Sequence, residues 1–430
     1  MKNIDHSKAL FALLAVLSSS AMATTYTWNG GENYFDVAAA WKIGSATATS
    51  CPTEGDEIKI AAADTVIKLR DDETIGKIGM IQALTSPVID LNGHSLLTTL
   101  SDSTFLLHSK YAVAENLETF LPTLTIKNGT LDAKVNFQFF NGSNPATGCV
   151  VFDNSRYVDG NLFYLTGGTY GIGNGFRVFV QNGSYVKLSD NINNFAWRTD
   201  SASGYGFFCV RGNGSYFTTS YENNGRSSFT VNGNHNALYV LDGAAATMTM
   251  ALCIGGREYS TNNFVEVDNA SLTNQFDLAF GCYNTWGTWK EFQYVDNPQL
   301  RIKGTDARVL VGGDLRIIDG ISAEIRYTVP TNGFAETPLT ANTLSVLDRN
   351  PEYESGGSAK IVVDARDWRA ANPGASQTLL TLATANSSGL QRLVGNATIR
   401  GSNCSLTVTD DGLSVVLKAP PRSGFAMILR

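Results

Sequence analysis

The stretch NNFVEVDNASLT, residues 262–273, alternates apolar side chains with other residues and then reaches an Asp-Asn turn. Related stretches occur upstream, NALYVLDGAAAT at residues 236–247 and NGFRVFVQNGSYV at residues 174–186. Alternation with a period of two is typical of a strand that buries one face. Asn, Asp and Gly tolerate the left-handed backbone of a sharp turn. Each stretch therefore predicts a strand that ends in a turn.

The strand pattern occurs eight times, and the residue two positions before each anchor is also apolar. A unit that returns every 25 to 35 residues is typical of stacked repeats. Because crossovers between parallel strands are right-handed, the repeat predicts an all-β fold, a right-handed parallel β-helix (solenoid) with coils of about 30 residues. The anchors are Leu91, Ile126, Val151, Val180, Val210, Val240, Val267 and Ile302.

The first 23 residues resemble an export signal. Lys2 and Lys8 flank the start, an apolar run covers residues 9–17, and Ala21-Met22-Ala23 forms a small-x-small cleavage site. The run is too short to span a bilayer, which takes roughly 20 residues. We expect an exported protein that works at the cell surface or outside the cell, with no membrane span after signal cleavage.

The remaining chain divides by its pattern. Residues 24–60 carry Trp28 and Trp41 and are predicted to form an N-terminal cap and first coil, because a stacked repeat exposes its terminal core unless something covers it. Residues 61–310 form the repeats. Residues 311–419 are predicted to be irregular C-terminal coils with a closing β-element. The tail, residues 420–430, is consistent with an edge strand or a sorting signal.

Stacking in register predicts what lies on the outer face. Glu266 should face Arg301 and Asp268 should face Lys303, as cross-coil ion pairs. The middle coils should turn a contiguous set of apolar side chains outward, either covered by a loop or used as a contact surface. This outer patch comprises Val150, Phe152, Phe179, Tyr239 and Leu241.

Composition excludes several classes of function. Only 17% of residues are charged, the net charge is -7 and no Lys or Arg run could follow a phosphate backbone, so we expect no nucleic-acid partner. Cysteine and histidine spacing shows no zinc pattern, and no cofactor is expected. Four cysteines lie in or beside apolar runs and are interpreted as buried thiols in preference to disulfides. They are Cys149, Cys209, Cys253 and Cys282.

The spacing Trp28, Trp41, Pro52, Gly55-Asp56, the stretch NNFVEVDNASLT and the closing TLLTLAT and TVTDDGLSVVL resemble exported bacterial β-helix proteins of the autotransporter-passenger and surface-adhesin type. The resemblance implies work at the cell surface, commonly adhesion, with no common catalytic residues. The chain departs from that type because too little sequence follows the repeats for a membrane barrel. Another route of release or anchoring is therefore expected.

Two chemical hypotheses stand beside adhesion. Arg301-Ile302-Lys303 resembles a polygalacturonase triplet, but the companion NTD and GHG motifs are absent, and the ion-pair prediction accounts for both cations. No catalytic residue is therefore assigned. The interval between Val267 and Ile302 contains an aromatic insertion, and aromatic rings on loops stack on sugars. The candidate binding residues are Tyr283, Trp286, Trp289 and Tyr294.

The alternative interpretation is that this insertion folds back over the outer patch and only packs. The sequence thus favours a non-catalytic exported β-solenoid, adhesin-like or structural, whose partner is an extracellular glycan or a surface protein. Two alternatives stay open. One is a carbohydrate-active β-helix enzyme, a polysaccharide lyase or hydrolase, and the other is a dedicated glycan-binding module.

Overall fold

The computed structural model describes residues 23–62, 64–81, 86–107, 124–139, 149–161, 177–189, 206–220, 228–256, 259–285, 288–353, 356–401 and 403–422. The predicted export signal lies outside these ranges except for its last residue. Strands make up 55% of the chain and helices 6%, which confirms the predicted all-β class. No helix within these ranges has the length and apolar character needed to cross a membrane.

The strands, in chain order, are β1 (Thr25–Trp28), β2 (Glu32–Tyr34), β3 (Trp41–Ile43), β4 (Ala46–Thr47), β5 (Glu57–Ile60), β6 (Val66–Lys68), β7 (Glu73–Ile75), β8 (Lys77–Ile81), β9 (Val88–Asp90), β10 (Ser95–Leu107), β11 (Leu124–Phe139), β12 (Cys149–Asn161), β13 (Arg177–Gln181), β14 (Tyr185–Ser189), β15 (Phe207–Arg211), β16 (Tyr216–Ser220) and β17 (Ser228–Val231). They continue with β18 (Ala237–Leu241), β19 (Ala245–Met248), β20 (Ala251–Ile254), β21 (Phe264–Asp268), β22 (Ser271–Asn274), β23 (Leu278–Phe280), β24 (Cys282–Thr285), β25 (Thr288–Glu291), β26 (Gln299–Lys303), β27 (Arg308–Asp319), β28 (Glu324–Thr328), β29 (Leu339–Asp348), β30 (Lys360–Asp364), β31 (Ser376–Leu382), β32 (Thr398–Arg400), β33 (Ser405–Val408) and β34 (Ser414–Lys418). A 3-10 turn covers Ala38–Ala40, and the α-helices are α1 (Arg366–Ala371) and α2 (Ser387–Gly395).

All strands except β24 and β25 belong to one large, mostly parallel and nearly closed sheet. Its pairings follow three ladders. The first ladder runs β2-β6-β9-β11-β12-β13-β15-β18-β21-β26-β28-β30-β32. The second runs β7-β10-β11-β12-β14-β16-β19-β22-β27-β29-β31. The third has two described parts, β1-β5-β8-β10-β11 and β17-β20-β23-β27-β29.

Six of the eight predicted anchors lie in one register column of the first ladder. Ile126 joins it through Phe152, which pairs with Val180. The other five pair each with the next in strict parallel register, and all six are buried in the main core, at most 1% exposed. The sequence repeat therefore predicted this part of the ladder correctly. The five are Val180, Val210, Val240, Val267 and Ile302.

The first and third predicted anchors are wrong. Ile126 pairs with Ile89 on one side and Phe152 on the other, and not with Leu91 and Val151. Leu91 is also buried, so a slip of two residues keeps an apolar side chain inside. Around Val151 the run is apolar on both faces, and a slip of one residue exchanges the two faces.

A column of left-handed residues runs along the first ladder, with φ between 46 and 86°. Five of them directly follow the strands β13, β15, β18, β21 and β26, as the Asn, Asp and Gly turns predicted, and the other two lie at the equivalent register positions inside β11 and β12. At Gly304 a Cβ would lie 2.4 Å from the side chain of Asn269, so no larger residue fits without movement. The column comprises Asn128, Asn154, Asn182, Gly212, Asp242, Asn269 and Gly304.

The predicted outer ion pairs are present. Glu266 is in register with Arg301 and Asp268 with Lys303. Lys303 Nζ lies 3.0 Å from Glu266 and 3.2 Å from Asp268, and Arg301 lies 4.0 Å from Glu266. These contacts account for both cations of the polygalacturonase-like triplet by packing within the ladder.

The predicted outer patch exists, but with changed membership. Phe179, Tyr239 and Leu241 lie in it, whereas Val150 and Phe152 point inward and are part of the main core. The one-residue slip at Val151 explains this change, because it exchanges the inward and outward residues of β12. Its buried members, at most 8% exposed as expected for a covered patch, are Cys149, Val151, Phe179, Phe207, Cys209, Ala237 and Phe264.

Both ends of the described sheet depart from the parallel pattern. At the N-terminal end β3 pairs antiparallel with β1, and Trp28 and Trp41 pack edge to face at 4.8 Å between ring centres. At the C-terminal end β34 runs antiparallel to both β31 and β33. These are the segments that the sequence analysis assigned to a cap and a closing β-element.

Candidate functional site

The aromatic insertion folds into a hairpin between the first and third ladders. Strands β24 and β25 pair antiparallel, with Tyr283 opposite Lys290 and Asn284 opposite Trp289. Trp286 lies outside the described residues, as does the side chain of Tyr283. The hairpin rests against β17 and β20, where the hydroxyl of Ser228 donates to the carbonyl oxygen of Asn284 at 3.3 Å.

Trp289 faces the protein interior. Its half-buried ring packs against the main core, and the guanidinium of Arg316 lies 4.8 Å from the ring centre. Phe292 also packs against this core. The hairpin thus packs as the alternative interpretation proposed, but on the third ladder and not on the outer patch of the first ladder.

Tyr294 behaves differently from Trp289. Its side chain is 51% exposed, and its ring stacks on that of Tyr259, with ring centres 4.9 Å apart and planes inclined by 8°. Tyr259 is itself 37% exposed. Sequence analysis missed Tyr259, although the 35 residues between the two tyrosines equal the spacing between Val267 and Ile302.

The tyrosine pair is held in an unusual backbone conformation. Tyr259 has φ 58° and Tyr294 has φ 56°, a region that favours glycine. Neighbouring amides fix the turn, since Asn297 Nδ2 donates to Asn262 Oδ1 at 2.7 Å and Asp296 N donates to the carbonyl oxygen of Ser260. The turn therefore presents two adjacent rings at the surface.

A cleft of about 450 Å³ opens beside Tyr294. Its wall carries charged and amide groups next to the aromatic ring, which is the combination that sugar-binding sites use to fix orientation. The lining residues are Thr261, Gln293, Tyr294, Val295, Asp296, Arg349, Glu352 and Gly356.

Hydrogen bonds join the cleft to the hairpin and the ladder. Asn350 N donates to Glu291 Oε2 at 3.0 Å, which ties the 349–353 segment to β25. Arg349 Nη1 donates to the carbonyl oxygen of Gly320 at 2.9 Å. The hydroxyl of Thr261 donates to Asn234 Oδ1 at 2.7 Å. The cleft walls are thus anchored to several strands and turns of the sheet, which suits a preformed binding site.

Two carboxylates outside the cleft lining, those of Asp277 and Asp314, lie on the third ladder. Asp277 Oδ1 accepts a hydrogen bond from Asp314 N at 2.7 Å, and the hydroxyl of Thr343 donates to Asp314 Oδ1 at 2.9 Å. Burial raises the pKa of Asp277. These carboxylates accept bonds from the ladder itself. Among the described residues, no group of three or more His, Cys, Asp or Glu side chains could hold a metal ion.

The four strand-associated cysteines are buried, which confirms the predicted burial. Burial raises the pKa of Cys149 and of Cys209 to about 12, so both are neutral thiols at ordinary pH.

No family model, curated protein or solved structure matches the chain. The site is therefore argued from its own geometry.

Proposed function

We propose that this chain is an exported, non-catalytic glycan-binding module, built as a right-handed parallel β-helix and adhesin-like or structural at the cell surface. The three parallel ladders support the β-helix, because a chain that returns to the same ladder every 25 to 35 residues coils around one core. The crossover rule supports the right-handed form. The basic, apolar and small-residue pattern of residues 1–23 supports export.

The stacked tyrosine pair beside the cleft carries the functional proposal. Exposed aromatic rings present a flat apolar face on which a sugar ring can stack. Two such rings on consecutive coils are kept at the surface, in a backbone conformation that costs free energy for any residue with a side chain. This cost suggests that the rings are retained for binding.

The charges of the cleft favour a neutral or basic glycan. Asp296 and Glu352 contribute two carboxylates and Arg349 one cation. Carboxylates accept hydrogen bonds from sugar hydroxyl groups, and they repel the carboxylates of uronic acids. We expect neutral hexose polymers or amino-sugar polymers to bind before acidic ones.

A catalytic alternative rests on the same two carboxylates. Glycoside hydrolysis needs a pair of Asp or Glu side chains across one sugar linkage, and Asp296 and Glu352 line one cleft. The enzyme hypothesis predicts release of shorter saccharides from any polymer that the cleft binds. The binding hypothesis predicts retention of the intact polymer.

The test is a glycan array with purified residues 24–430, followed by product analysis on each bound polysaccharide with and without calcium. We expect binding without cleavage, loss of binding in Tyr294→Ala and no loss in the matched control Tyr216→Ala. Tyr216 stacks on Tyr185 at 5.6 Å, outside the cleft. Cleavage of a bound polymer would replace the proposal by the enzyme, and binding unchanged by Tyr294→Ala would refute the assigned site.

A further inference from the structure

Arg177 occupies an unexpected place for a cation. It begins β13 on the first ladder, in register between Cys149 of β12 and Phe207 of β15. Since Val178 and Val180 point inward, Arg177 points outward, into the buried apolar patch to which Cys149 and Phe207 belong. Its guanidinium lies 5.2 Å from the centre of the Phe207 ring.

The guanidinium of Arg177 is buried and lacks hydrogen bonds on one edge. The residue is 6% exposed, and neither Nε nor Nη2 has a hydrogen-bond partner. These two nitrogens form the edge of a guanidinium that matches the two oxygens of a carboxylate. A buried charge without a partner costs several kcal/mol, and a ring face compensates only part of that cost.

The described residues around Arg177 supply no acidic partner, because no Asp or Glu among them lies within ion-pair distance of its guanidinium. Cys149 is the adjacent acidic group, and burial raises its pKa to about 12, so its thiol stays neutral. The other nearby charge is the cation of Arg211, whose Nη2 donates to Gln181 Oε1 at 2.7 Å.

Arg301 provides an internal comparison on the same ladder. Its guanidinium lies 3.6 Å from the centre of the Phe264 ring, much as that of Arg177 lies over Phe207. Arg301 has Glu266 at 4.0 Å and donates a hydrogen bond to Gln299. The ring contact therefore recurs, whereas the acidic partner is present only at Arg301.

We propose that Arg177 binds the carboxylate of a small organic acid with an apolar body. The carboxylate would accept two parallel hydrogen bonds from Nε and Nη2, and the apolar body would pack among the side chains of the patch. This class fits because the groups around Arg177 are a phenyl ring, thiols and aliphatic side chains. The site is separate from the tyrosine cleft, which lies on turns at least three coils away.

The experiment measures the thermal unfolding midpoint of residues 24–430 against increasing benzoate, with acetate and sulfate as comparisons. A ligand that binds only the folded state raises the midpoint as its concentration rises. We expect benzoate to raise the midpoint more than acetate or sulfate does, and the general stabilisation by sulfate to be the same in the wild type and in Arg177→Met. Arg177→Met should abolish the benzoate shift, and Arg301→Met should retain it.

Three outcomes would overturn the proposal. They are the absence of a benzoate shift in the wild type, an equal shift in Arg177→Met, and a sulfate shift as large as that of benzoate. If Arg177→Met does not fold, Arg177→Lys takes its place, because lysine keeps the positive charge but lacks the paired Nε and Nη2 donors. Carbon-13 spectra of carboxyl-labelled benzoate must then show a bound signal with the wild type and a weaker one with Arg177→Lys. Retention of the shift in Tyr294→Ala separates this site from the glycan site.

Discussion

Tyr259 and Tyr294 show how single residues carry the functional hypothesis. Each has a left-handed backbone that favours glycine, at a cost of about 1–3 kcal/mol. The stack between their rings returns only about 0.5–1.5 kcal/mol. Stability alone therefore gives little reason for tyrosine at these positions, whereas an exposed sugar platform does.

Replacement of Tyr294 by glycine separates folding from binding. Tyr294→Gly relieves the backbone strain and loses the ring stack, so we expect the free energy of unfolding to change by less than about 1 kcal/mol. Glycan binding should be lost. Denaturant unfolding measures the first quantity and array retention the second. A variant that unfolds easily would show that the pair is structural.

Asp277 gives a prediction of pH dependence. Burial raises its pKa in the folded state, so keeping it ionised costs stability at neutral pH. The full cost applies at pH values above the pKa of the folded state. It disappears as the pH falls below the pKa of Asp277 in the unfolded state. Asp277→Asn keeps an oxygen to accept the bond from Asp314 N. We expect the variant to be more stable than the wild type at about pH 7, with the difference shrinking towards about pH 3.5. Denaturant unfolding at both pH values measures this difference. An equal gain in stability at both pH values would contradict the prediction.

At the scale of elements, the segment with the β24–β25 hairpin both packs against the core and leads into the exposed Tyr294. Its inner side packs through Trp289, while the chain leaving it presents Tyr294 at the surface. The sequence predicted that the insertion is aromatic and that it either binds or packs. It could not assign each ring, because the division depends on which side of the hairpin faces β17 and β20.

The packing function of the hairpin predicts a loss of stability. Trp289→Ala removes a half-buried ring from the main core and from the guanidinium of Arg316. We expect the free energy of unfolding to fall by about 2 kcal/mol. This is less than the roughly 3–5 kcal/mol lost when a fully buried Trp is replaced by Ala. The exposed neighbour substitution Thr288→Ala should stay within about 0.5 kcal/mol. Equal effects of the two substitutions in denaturant unfolding would show that the hairpin does not pack as described.

The strand register shows where sequence patterns lose information. Four of the five anchors from Val180 to Ile302 are followed directly by a polar or charged residue, which marks the outward face, and there the repeat identified the inward residues. Around Val151 both faces are apolar, so alternation cannot distinguish inside from outside. Long-range contacts with β11 and β13 fix that choice, and one sequence does not reveal them.

At the scale of the whole molecule, one outer column of the first ladder alternates in charge. No two neighbouring positions carry the same sign, which stabilises the correct register by small ion pairs and penalises slipped ones. Such a column is structural. It reads Lys68, Asp90, Lys127, Asp153, Gln181, Arg211, Leu241, Asp268, Lys303, Thr328, Asp364 and Arg400.

The proposed β-helix predicts that one complete coil can be removed without loss of folding. Deletion of residues 211–240 joins Val210 to Leu241, and because Val210 and Val240 are register partners the chain re-enters at an equivalent position. We expect a folded β-protein with cooperative thermal unfolding by circular dichroism. Deletion of residues 211–225 removes half a coil and should abolish folding. The β-helix proposal is wrong if both deletions behave alike.

The most direct measurement of the central claim is calorimetric titration of an array-selected glycan into the wild type, Tyr294→Gly and Tyr216→Ala. The account predicts saturable binding to the wild type and to Tyr216→Ala, with binding to Tyr294→Gly weaker by about tenfold, near the upper end of what one aromatic stacking contact contributes. Equal affinity in all three proteins would contradict it.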